Sequence, residues 1–142
     1  MQTTAINQGI AVNKDNTLNF GDFLSKDKQK TDDFIVDGDN YSLRTYDQAT
    51  KLSKNTELAL ETVPGTSINS FFTKEKEFVS FSVEGFASTI ITVNLEPNTT
   101  YRIKSNKENI GGMSTNSSGK IKFSLDLTNG KTQNVSIEKF KQ

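Results

Sequence analysis

The chain has 142 residues, 32% of them hydrophobic, with ten Phe, no Cys, no His and no Trp, and its 17 basic and 17 acidic side chains leave no formal net charge. Without Cys no disulfide, thiolate nucleophile or zinc–thiolate site can form, and without His the commonest general base and transition-metal ligand are missing. The two charge signs are interspersed, so there is no basic stripe for nucleic acid or anionic lipid, and neither a nucleic-acid nor a membrane partner is expected.

This length suits one domain, or one domain with an arm. Met1 to Gly9 carries neither a basic n-region nor an apolar h-region, and no apolar run reaches the roughly 20 residues of a spanning helix. The expectation is a product made in the cytoplasm without a signal peptide.

Short apolar alternations bounded by Gly, Asn, Asp or Pro then recur along the chain, which is the pattern of successive strands. Ile10 and Val12, then Leu18 and Phe20 across the turn Lys14-Asp15-Asn16, predict a small N-terminal hairpin. The charged stretch Ser25 to Asp33 reads as a connector, so residues 1–33 form an arm and residues 34–142 the body. Phe34-Ile35-Val36 meets Asp37-Gly38, and Tyr41, Leu43 and Thr45 alternate beyond it; Asp-Gly here predicts a hairpin, because glycine accepts the positive φ of the turn.

Leu58, Leu60 and Thr62 lead to a turn at Val63-Pro64-Gly65-Thr66. A helix over Leu58 to Val63 is the alternative, with Glu57 and Glu61 at i, i+4, but Val63 precedes a proline and is biased away from helix. Ile68 and Phe71-Phe72 precede the charged tip Lys74-Glu75-Lys76-Glu77, after which Val79, Phe81 and Val83 alternate with Ser80, Ser82 and Glu84. Thr89 to Leu95 is a further run. The last third holds Ile110-Gly111-Gly112-Met113, a turn at Asn116 to Gly119, a strand through Ile121, Phe123, Leu125 and Leu127, an Asn129-Gly130 turn, and Val135 with Ile137. Roughly nine to eleven strands result, a number that two packed sheets accommodate.

The segment Leu95-Glu96-Pro97-Asn98-Thr99-Thr100-Tyr101 resembles the corner between the fifth and sixth strands of fibronectin type III domains. There, Leu-x-Pro-x-Thr-x-Tyr places a tyrosine whose hydroxyl bonds back to the backbone. The resemblance implies an all-β antiparallel sandwich of immunoglobulin or fibronectin III type, with an N-terminal hairpin or arm, and structural roles for Leu95, Pro97, Thr99 and Tyr101. A jelly roll is the alternative architecture.

Candidate sites are few. Asp32, Asp33, Asp37, Asp39 and Asn40 could offer oxygens to calcium, most directly Asp37 and Asp39, but Asp and Asn are also the ordinary residues of turns, and no metal or cofactor is expected. Glu57 with Glu61 and Glu75 with Glu77 are the carboxylate pairs open to acid–base work, yet neither sits in an apolar context. Tyr41, Tyr46, Phe71 and Phe72 are the aromatics on which a sugar ring could stack, with Tyr46 and Phe71 the candidates to face a ligand, although an aromatic at strand spacing is ordinarily a core residue. Four N-x-Ser/Thr matches, at Asn40, Asn98, Asn116 and Asn134, are what a chain rich in these residues contains by chance.

These readings converge on a non-enzymatic structural or decoration protein displayed on an assembled particle such as a phage capsid, tail or appendage, its expected location a virion or particle surface. Its partners would be other protein subunits, a second copy of the chain among them, met through a docking arm of Ile10, Val12, Leu18 and Phe20. The alternative is a carbohydrate-binding or adhesive accessory module of a bacterial surface protein, with a glycan as partner.

Overall fold

A computed structural model describes residues 3–7, 10–106, 108–128, 130 and 132–140. The described residues form strands β1 (Thr3–Asn7), β2 (Ile10–Asn13), β3 (Leu18–Phe20), β4 (Gln29–Val36), β5 (Asp39–Tyr46), β6 (Ala49–Lys54) and β7 (Glu57–Val63). They continue through β8 (Ser67–Lys74), β9 (Phe78–Glu84), β10 (Ser88–Asn94), β11 (Thr100–Ser105), β12 (Glu108–Ser114), β13 (Lys120–Asp126) and β14 (Gln133–Lys139). The expected nine to eleven strands become 14, because segments without an apolar alternation of their own, Thr3–Asn7 and Ala49–Lys54 among them, also pair. The segment open to a helical reading is β7.

Two antiparallel sheets pack face to face as a β-sandwich. One has eight strands in the order β1-β2-β3-β8-β9-β14-β11-β12, and the other six, β13-β10-β7-β6-β5-β4. The alternation read from the sequence decides which side chains enter the space between them. In β9, Val79, Phe81 and Val83 point inward, and Leu43 of β5, Leu52 of β6, Leu60 of β7 and Ile91 of β10 meet them as fully buried partners. Phe71 joins Phe20 edge to face at 5.4 Å and Phe81 at 6.2 Å, aromatic packing of the kind that adds to area burial.

The pairs of the C-terminal half nest: β11 lies beside β12, β10 beside β13, and β9 beside β14. Six consecutive strands are therefore one long antiparallel hairpin wound across both sheets.

The arm expected over residues 1–33 is part of the sandwich. Its boundary at residue 33 falls inside β4, and β3 pairs with β8 through Leu18 opposite Phe71 and Phe20 opposite Ile68. Ile10, Leu18 and Phe20 are 1%, 2% and 2% exposed, and Val12 packs against the core. A two-stranded hairpin with one apolar face is marginal alone, and the free edge of β8 in the same chain is the nearest surface that can cover it. The expected docking arm is thus a core element.

Turn chemistry was legible. Asp37 and Gly38, at φ 50° and 84°, link Val36 to Asp39 in the two-residue turn that the pair Asp-Gly predicts. The Asn129-Gly130 turn falls largely outside the described residues, since Asn129 and Lys131 are not among them.

One end of the core is polar. Thr45, Thr50, Thr62 and Thr66 are fully buried there, and their hydroxyls pair, Thr45 with Thr50 and Thr62 with Thr66, the two pairs joined through the Thr66 backbone. The Thr50 hydroxyl lies 2.8 Å from that of Thr45 and donates to the Thr66 carbonyl at 2.9 Å, while the Thr66 N–H donates back to it at 3.1 Å. Gly65 has no room for a side chain, because a Cβ would come within 1.9 Å of the Tyr46 carbonyl oxygen.

Candidate functional site

Leu95 to Thr99 carries the chain from the six-stranded to the eight-stranded sheet. Leu95 is buried and its N–H donates to the Gly119 carbonyl at 2.6 Å, while the Thr99 hydroxyl donates to the Pro97 carbonyl at 2.9 Å. Pro97 itself is exposed and presets φ for the turn. The Tyr101 hydroxyl accepts the Glu96 N–H at 3.1 Å, which is the bond back to the corner that the motif implies. It also donates to the Lys76 carbonyl at 2.7 Å, tying the corner to the turn between β8 and β9. That second bond has no signal in the motif.

Tyr101→Phe should therefore destabilise the protein by about 2 kcal/mol, since two backbone groups lose their partner. Burial holds the Tyr101 hydroxyl above its ordinary value of 10.0, and Tyr41 shifts the same way, chiefly by burial and then through Asp39 and Asp37. A group whose folded-state value is raised contributes its full stability below the unfolded value, about 10 for tyrosine, and loses it as pH rises through the folded one. Melting temperature should fall above pH 10, and less steeply in Tyr101→Phe; a variant melting like the parent at neutral pH would overturn the role given to the hydroxyl.

The acidic loop is occupied by its own neighbours. Asn16 Nδ2 donates to Asp37 at 3.1 Å, Asn55 Nδ2 to Asp39 at 2.9 Å, Asn40 Nδ2 to Asp33 at 3.0 Å, and Arg44 to Asp32 at 2.9 Å. Lys54 Nζ adds a contact of 3.7 Å to Asp39. Among the described residues no group of three or more Asp or Glu is placed to hold a metal ion.

The carboxylate pairs are not brought together for catalysis. A bulge in β7 separates Glu57, which approaches Lys76 Nζ at 4.0 Å, from Glu61, which lies opposite Lys51 and Thr92. Glu75 and Glu77 are exposed at the tip between β8 and β9.

The aromatics divide between core and surface. Phe71 is 5% exposed and belongs to the core, and Tyr41 is likewise buried. Tyr46 is half-buried, with Lys28 Nζ 5.2 Å from its ring centroid. Phe72 is the outward residue of the pair at 44% exposure. A bulge between Asn69 and Phe72, with Ser70 at φ 55°, decides which phenylalanine turns inward.

That bulge edges a groove on the outer face of the eight-stranded sheet, with a volume of ≈ 490 Å³, lined by Ser70, Ser80, Ser82, Lys104, Asn134 and Ser136. Register places Ser80 opposite both Phe72 and Ser136, and Ser136 opposite Lys104. One row of side chains thus runs Phe72, Ser80, Ser136, Lys104 across four strands, about 14 Å at the usual strand spacing. Asn69, Ser82 and Asn134 form the next row, in which the Ser82 hydroxyl donates to the Asn134 side-chain oxygen. Short serines in the middle strands and longer side chains at the flanks make the depression. Among the described residues, no hydrogen bond or ion pair engages the hydroxyls of Ser80 and Ser136 or the Lys104 ammonium.

Ser80 and Ser82 lie on the polar face that the alternation of β9 marks, and nothing in the sequence singles them out as a site. Comparison with family models, with curated proteins and with solved structures finds no match to this chain.

Proposed function

We propose that the protein is a non-enzymatic binding module that holds a polyhydroxylated chain, a glycan, in the serine-floored groove. The observation that carries this reading is the pair of unengaged hydroxyls of Ser80 and Ser136 in the groove, with the exposed Phe72 ring next in register to Ser80 at its rim. Hydroxyls that keep only water can exchange it for sugar hydroxyls, and a phenyl face accepts the apolar C–H side of a pyranose. Phe78, 6.2 Å from Phe72 by ring centroids, widens the platform. The nested pairs of β9 to β14 support the jelly-roll form of the sandwich, an architecture that serves both capsid and lectin domains; the tyrosine corner is what supports the immunoglobulin-like form.

In affinity electrophoresis through polysaccharide-loaded gels, the protein should be retarded by at least one glycan, and Phe72→Ala should weaken that retardation about tenfold. Phe72 is exposed, so the variant should melt as the parent does. Free migration through every glycan gel would reject the reading.

A particle-subunit role is the second reading, supported by an exposed apolar cluster at one end of the sandwich. Phe23 stacks on Phe86 at 6.0 Å, Phe86 is 51% exposed, and the neighbouring Leu24 is 76% exposed. Such a cluster suits contact with a second copy of the chain. Sedimentation should show concentration-dependent self-association that Phe23→Ser with Phe86→Ser abolishes; a monomer at all concentrations would count against it.

A further inference from the structure

Resting on the glycan reading, we propose that the chain bound in the groove is acidic, carrying carboxylate or sulfate groups that Lys104 engages. Among the described residues, Lys104 is the one ionisable side chain lining the groove, and no Asp or Glu lines it. Its ammonium has no ion pair among the described residues, whereas lysines at 26, 54, 76 and 139 each reach a carboxylate. Among the described residues the other charges of this face stand toward its two ends, with Lys74 opposite Phe78 at the tip beyond Phe72. Glu138 lies opposite Arg102, whose guanidinium sits 4.8 Å from the centroid of the Phe140 ring, and Glu84 closes the far end of β9 opposite Ser67.

The register gives the ligand a direction. Phe72 and Lys104 occupy the two ends of one row with Ser80 and Ser136 between them, so a chain lying across the strands meets an apolar platform at one end and a cation at the other. A neutral glycan would leave the ammonium unanswered, while an anion adds a charge-assisted hydrogen bond. The contact is open to solvent, so its strength must fall as salt rises.

The test uses the full chain in affinity electrophoresis and calorimetry with alginate, polygalacturonate, hyaluronan and a sulfated galactan, each beside its carboxyl-reduced or desulfated form, and with neutral glucan, mannan and xylan. Binding to at least one acidic polymer is expected. It should weaken about tenfold on neutralising the polymer, in Lys104→Gln, and from low to 0.5 M salt, with melting temperature unchanged. Equal binding of a polymer and its neutralised form, indifferent to Lys104→Gln, would overturn the acidic ligand and leave the groove standing. Binding to no polymer of either kind would overturn both.

Discussion

Removing residues 1–23 should yield a chain that no longer folds cooperatively. The deletion takes Ile10, Leu18 and Phe20 out of the core, each nearly fully buried, and burial of a large apolar side chain is worth about 1.5–3 kcal/mol. Three of them amount to about 5–9 kcal/mol, comparable with the whole stability of a domain. The cut also uncovers Phe71 and Ile68 and leaves β8 as a long unpaired edge, which invites aggregation. Urea titration followed by circular dichroism and sedimentation would check this. A soluble monomer with a sharp transition near that of the full chain would show that the N-terminal strands are dispensable.

Thr50→Val should cost about 3 kcal/mol although the two side chains have nearly the same shape. The reason is a count of donors and acceptors. The Thr66 carbonyl can only accept and the Thr66 N–H can only donate, so the Thr50 hydroxyl gives its one proton to the carbonyl. The Thr45 hydroxyl must then donate to Thr50, and it accepts the Asp22 N–H at 2.9 Å. Valine would leave three buried groups without partners, at a site where water has no access. Thr50→Ser keeps all three bonds and should lose about 1 kcal/mol for the missing methyl. Equal destabilisation of the two variants in urea titration would show that packing, not the hydroxyl bonds, holds this end together.

The strands and several turns were legible because their causes are local. Val79, Phe81 and Val83 alternate with short polar residues, so one face of β9 had to be buried whatever it met. Asp37-Gly38 and the Leu95 to Tyr101 corner are backbone demands written in adjacent residues. The apolar face of the first hairpin was equally visible in Ile10, Leu18 and Phe20. Where that face is buried was not, because an alternation states that a surface must be covered without naming the surface.

The groove belongs to the same category. Ser82 and Asn134 bond to each other across 52 positions of chain, and nothing local to either residue announces the other. Phe71 and Phe72 are adjacent and chemically identical, and a bulge set by pairing with β9 sends one into the core and the other to the rim. Taken alone, then, the amino-acid sequence determined a chain of half-buried strands with polar outer faces, particular turns, and no thiol or imidazole chemistry. Tertiary structure decided that the N-terminal hairpin closes its own domain and that serines from distant strands share a floor beside one lysine. The physical reason is that period-two alternation specifies which residues share a face, whereas strand order and register, which depend on long-range pairing, specify which faces become neighbours.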